Sequence, residues 1–110
     1  MFEKDMHVAD LLDCYGDLLS ENKRNLIDLY YNEDYSLSEI AENAGMTRQG
    51  VRDSIKKSET ELRAWEDKLH FVQKIGDANE KIARAAEVLA SMEQTEDVAS
   101  VLSILRSIGL

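Results

Sequence analysis

The 110 residues predict an all-α protein, a helical bundle with a long fourth helix and a C-terminal helical extension. Three observations carry that expectation. Proline is absent and glycine occurs only five times, so little interrupts a helix except local signals. Leu, Ala, Glu, Lys and Ser dominate, with no run of β-branched residues. Apolar residues recur at steps of three and four over most of the chain. The length suits a single domain, 1–110, with a modest core. At 44% hydrophobic and 32% charged residues the composition is that of a folded globular chain rather than a disordered one.

Each element follows from its own signals. Val8, Leu11, Leu12, Tyr15, Leu18 and Leu19 form one apolar stripe, with Asp10, Asp13 and Asp17 turned to water and Asp5 as N-cap. Cys14, between Leu11 and Leu18, reads as a small buried hydrophobe. Ser20 resets the chain, and "ENKRNLIDLYYNED" predicts a second helix burying Leu26, Ile27 and Tyr30. Ser36 opens a third, short helix with "SLSE", a capping box in which Ser36 and Glu39 satisfy each other's amides. Leu37, Ile40, Ala41 and Ala44 face inward there, and Gly45 ends the helix with positive φ.

Thr47 caps the fourth helix. Its apolar positions, Val51, Ile55, Ser58, Leu62, Trp65, Leu69 and Val72, alternate steps of four and three, a heptad-like seam expected to run to Lys74. At "IGDANEKI" two readings compete. Gly76, Asp77 and Glu80 look like a stop and a fresh capping box, whereas Ile82, Ala86 and Leu89 continue the same stripe; a break or kink at Gly76 is the favoured one. Two final helices, about 78–93 and 96–108, are separated by "EQTED", with Thr95 as cap and Gly109 as terminator.

The stretch "SLSEIAENAGMTRQGVRDSIKK" has the spacing of a helix-turn-helix. Close crossing of two helices needs a small residue in the first, an αL-tolerant turn residue and branched apolar residues in the second, here Ala41, Gly45, and Val51 with Ile55. An αα-corner packing its own core would need the same four. Charge separates the two readings. Residues 1–46 hold 11 acids and 3 bases, and residues 58–110 hold 10 acids and 6 bases. Between them, residues 47–57 hold Arg48, Arg52, Lys56 and Lys57 against Asp53 alone. The single basic island of a chain with formal charge -9 sits on the helix that would enter a groove. Arg48, Gln49 and Arg52 suit bidentate contacts to base edges, and Lys56 and Lys57 suit phosphates.

Residues 19–69, "LSENKRNLIDLYYNEDYSLSEIAENAGMTRQGVRDSIKKSETELRAWEDKL", resemble the promoter-reading fourth region of bacterial sigma factors, with "SLSEIAE" and "TRQGV" in the matching order. The whole chain, including "MHVADLLDCYGDLLSENKR", is similar to the YlxM family of small bacterial helix-turn-helix proteins. The resemblance implies a sigma-like helix-turn-helix core over 20–69. It also implies a link to the signal recognition particle pathway. Arg48, Gln49 and Arg52 fall where sigma factors place base-contacting and phosphate-contacting side chains. The flanking acidity and the two extra C-terminal helices depart from the sigma pattern.

The partner expected from this is DNA, read by a regulatory protein. A non-DNA accessory role is the alternative, with Asp10, Asp13, Asp17, Glu33 and Asp34 binding signal recognition particle RNA or its basic protein component. No nucleophile elbow, phosphate-cradling loop or metal-ligand spacing is present, so neither catalysis nor a cofactor is expected, and His7 and His70 read as surface residues. The apolar faces of 77–110 (Val98, Val101, Leu102, Leu105, Ile108), with the seam through Trp65 and Leu69, lead us to expect a homodimer. One cysteine, no apolar run of spanning length and no basic start before an apolar stretch point to the cytoplasm and away from membrane insertion.

Overall fold

A computed structural model describes residues 4–109; the outermost positions of the expected 1–110 domain lie outside the described residues. The described residues form six α-helices and no strand: α1 (Met6–Tyr15), α2 (Glu21–Tyr31), α3 (Leu37–Ala44), α4 (Arg48–Leu69), α5 (Phe71–Ala90) and α6 (Glu96–Arg106). They group into two compact units, one reaching to Val72 and one starting at Gln73.

In the first unit α1, α2 and α3 each pack on α4. Val8, Leu11, Leu12 and Tyr15 of α1, Leu26, Ile27 and Tyr30 of α2, and Leu37, Ile40 and Ala41 of α3 close over Val51, Ile55 and Leu62 of α4. The caps are those of the sequence. Asp5 Oδ1 accepts from His7 N at 2.9 Å, Ser20 Oγ accepts from Lys23 N, and Thr47 Oγ1 accepts from Gly50 N at 3.0 Å. Three expectations need correction here. α1 stops at Tyr15 and passes through a 3-10 turn (Gly16–Leu18), which leaves Leu18 60% exposed instead of on the stripe. Cys14 is exposed, because it lies off the face that Val8, Leu11, Leu12 and Tyr15 of α1 bury. Partial burial of the sulfur, with Glu66 nearby, pushes the thiol's pKa up, which keeps it protonated. Ala44 is exposed too.

The turn after α1 is built around Gly16. A Cβ there would come within 2.3 Å of Arg24 Nη1, so glycine lets the guanidinium lie on the turn. Arg24 bonds Asp17 at 2.8 Å and Asp28 at 2.9 Å from that position.

The break between α4 and α5 also differs from expectation. α4 ends at Leu69, not Lys74, and His70 takes the left-handed conformation (φ 56°) that closes it. α5 then runs unbroken through Gly76. The physical reason is tertiary. Tyr15 Oη donates to Glu66 Oε1 at 2.5 Å, the same oxygen accepts from Val72 N at 3.0 Å, and Phe71 N donates to Tyr15 Oη at 3.2 Å. The first free amides of α5 thus find acceptors on a tyrosine and a glutamate, and a new helix starts at Phe71. The Tyr15 ring stacks on Phe71 with centroids 6.3 Å apart. Burial first, and the bond to Glu66 second, push the Tyr15 pKa up to about 12.

Along the heptad seam of α4 Ser58 and Leu62 are fully buried and Trp65 packs on the core of this unit, while Leu69 is 39% exposed. Ser58 Oγ has no hydrogen-bond partner among the described residues.

In the second unit, Gln94 Nε2 donates to Leu89 O and Met92 O at 3.1 and 2.9 Å, closing the end of α5. Thr95 caps α6 through Val98 N, while Glu96 and Asp97 in its first turn and Arg106 in its last suit the helix dipole. α6 ends at Ser107 rather than Gly109, with Ser107 Oγ donating to Ile104 O at 2.7 Å. Leu102 alone is buried among the described residues of this unit.

Candidate nucleic-acid interface

α3 and α4 form the two arms of the turn. Ser36 and Glu39 make the reciprocal capping box, with Glu39 N donating to Ser36 Oγ at 3.1 Å and Ser36 N to Glu39 Oε1 at 3.0 Å. The bonds from the Ser36 backbone and hydroxyl hold the Glu39 carboxyl below its ordinary pKa. At the other end Gly45 is left-handed (φ 66°), its N–H bonds Ala41 O, and Met46 N also donates to Ala41 O at 3.0 Å. Glycine adopts this φ without the steric cost a Cβ brings, and the chain turns sharply into Thr47. Ala41 is small enough to let the helices cross, and Val51 and Ile55 are fully buried beneath them.

With Val51 and Ile55 inward, the outward face of α4 is set. Arg48 and Gln49 are exposed, Arg52 is half-buried, and Lys56 and Lys57 are exposed. Arg48, Gln49 and Arg52 line one concavity of about 690 Å³ together with Tyr30, Leu37, Ser36 and Ser38. Lys56 and Lys57 lie further along α4 and do not line it. The structure therefore adds the first turn of α3 and the ring of Tyr30 to the candidate surface. "SLSE" marked the helix start, but its nearness to Arg48 comes from the crossing of two helices. Tyr30 is 7% exposed and read as core in the sequence; it is core, with one edge at the concavity.

Chemically the concavity offers two guanidinium groups, a carboxamide, two hydroxyls and the positive end of a helix. Groups of these kinds are those that pair with anions and with hydrogen-bonding edges. No cluster of metal-ligating side chains occurs among the described residues, and no helix there is long and apolar enough to cross a membrane.

Capped arms, a left-handed glycine turn and a buried branched pair under an exposed basic face define a helix-turn-helix protein. The family comparison agrees: residues 2–101 match the model of the YlxM/p13-like helix-turn-helix proteins. This chain belongs to that family. A UPF0122 protein of Desulforamulus reducens is 42% identical over 84% of this chain and 80% of its own length. One of Clostridium kluyveri is 48% identical over 64% of each chain, and one of Bacillus mycoides is 37% identical over 88% of each.

Proposed function

We propose that this chain is a non-enzymatic, cytoplasmic DNA-binding regulatory protein that lays the first turns of α4 in the major groove, in the manner of sigma region four. The observation that carries this is the convergence of Arg48, Gln49 and Arg52 with the N-terminal turn of α3 on one concavity, above the buried Val51 and Ile55. Groove-reading helices present their N-terminal residues to base edges while the preceding helix meets the backbone. Lys56 and Lys57 then fall to phosphates further along.

Duplex binding measured by fluorescence anisotropy across a salt series tests it. Lys56 and Lys57 on phosphates give a log-log slope of about -1.8, and a two-helix dimer about twice that. Arg52→Glu abolishes binding while shifting the melting temperature little. Absence of binding to any duplex at low salt overturns the proposal.

The dimer rests on α6. Leu102 is buried on one side of that helix, while Val101 and Ile104, three positions apart, are 43% and 61% exposed, and Ile108 just beyond its end is 42% exposed. Sedimentation of the wild type and of Ile104→Glu decides it: a monomer in both removes the two-helix model.

A second reading, an accessory protein of the signal recognition particle pathway, draws on the acids. Asp10, Asp13, Asp17, Glu33 and Asp34 are all exposed, with Asp17 and Asp34 also paired to Arg24 and Lys4 at the surface. If these acids are the working surface, Asp10→Asn with Asp13→Asn weakens association with the particle's protein or RNA and Arg52→Glu does not.

A further inference from the structure

Asp53 is the only acid between Thr47 and Lys57. It stands one helical turn beyond Gln49, and Gln49 Nε2 donates to Asp53 Oδ1 at 2.9 Å. Both side chains are exposed, and Gln49 lines the concavity with Arg48 and Arg52.

A carboxamide carries two N–H donors and one carbonyl acceptor, and its two ends are close to interchangeable in shape. A carboxylate accepts only, so the bond to Asp53 settles which end of the Gln49 amide is nitrogen. One N–H is used. Where the N–H given to Asp53 is the one trans to the carbonyl oxygen, the other N–H and the carbonyl stand side by side, a donor next to an acceptor. Adenine presents the complement in the major groove, an acceptor at N7 and a donor at N6. Guanine presents acceptors at both N7 and O6, and a carbonyl facing O6 is repelled.

We infer that Asp53 is a specificity-determining residue of the α4 surface, orienting the Gln49 amide for adenine and, through its own charge, disfavouring guanine at that base. The inference rests on the reading of α4 as a major-groove helix. It also accounts for an acid within the single basic island, where a negative charge close to DNA phosphates lowers affinity for every duplex. Asp53 exchanges general affinity for discrimination. A residue serving only the fold moves neither quantity separately.

Selection from random duplexes with the wild-type protein yields its preferred site. Anisotropy titrations then follow that site and its single adenine-to-guanine changes, using wild type, Asp53→Ala, Asp53→Asn and Gln49→Ala. Melting curves confirm that each variant is folded. The wild type loses at least about fivefold in affinity at one adenine, the low end for a bidentate pair. Asp53→Ala binds arbitrary duplex severalfold tighter, and its preference at that adenine falls within twofold. Asp53→Asn, which lacks the charge and can donate to Gln49 as well as accept from it, gains affinity and keeps only part of the preference. Gln49→Ala loses the preference without the gain. Retention of the full preference in Asp53→Ala, or a wild type indifferent to every adenine, overturns the role of Asp53 alone. Absence of duplex binding in all four proteins overturns the reading of α4 and this role with it.

Discussion

The unit ending at Val72 buries fourteen apolar side chains in one core, whereas the unit from Gln73 onward buries Leu102 alone among its described residues. Both were written with the same three-and-four periodicity. The difference lies in how many helices share the apolar surface. In the first unit α4 is contacted by three helices, so its stripe is closed on several sides. α5 and α6 are only two, and a helical pair has too little surface to enclose its own apolar face; Val88 and Ile104 are each 61% exposed. Amphipathic pattern licenses burial, and the number of packed layers decides whether burial happens.

The largest effect that would break this comparison is a core truncation. Leu62→Ala removes a fully buried side chain from the centre of α4 and costs about 2–5 kcal/mol in urea unfolding. Ile82→Ala in α5 removes a half-buried one and costs less than about 1.5 kcal/mol. Equal losses would show that the second unit has a core of its own under solution conditions.

A smaller effect is set by pH. In the folded state Tyr15 holds its proton up to about 12, against an ordinary phenol value of 10.0. The neutral phenol is the form the fold favours, so this stabilisation is complete below pH 10 and is lost as pH climbs toward 12. Denaturant midpoints measured from pH 9 to 12 fall for the wild type and fall less steeply for Tyr15→Phe. An unchanged slope would mean that the Tyr15–Glu66 bond does not hold the α4–α5 break.

Two substitutions should stabilise. Ser58→Ala removes the buried hydroxyl that lacks a partner and raises stability by about 1 kcal/mol in the same unfolding assay. Gly76→Ala places a Cβ where no atom lies within 4 Å, in the interior of α5, and adds about 0.5–1 kcal/mol of helix preference. Loss of stability in Gly76→Ala would show that the chain breaks at Gly76, as its sequence had led us to expect.

The sequence by itself determined whatever is settled within a few residues. Asp5, Ser20, Ser36 with Glu39, Thr47 and Thr95 each satisfy amides two or three positions away, so the start of five helices was legible residue by residue. Gly45 was legible for the same reason, as were the basic island and the inward pair Val51 and Ile55. The tertiary structure decided everything carried by partners far apart in the chain. Tyr15 and Glu66, 51 positions apart, move the helix break to His70 and overrule the local signal at Gly76. Tyr31 Oη likewise donates to the nearly buried Glu59, 28 positions on, at 2.5 Å. The same holds for the concavity, where the N-terminal turn of α3 and Tyr30 join Arg48, Gln49 and Arg52 only because helices cross. A cap is a short-range hydrogen bond and can be read from spacing; a break or a surface assembled from several helices depends on which chains of atoms meet once the core has closed.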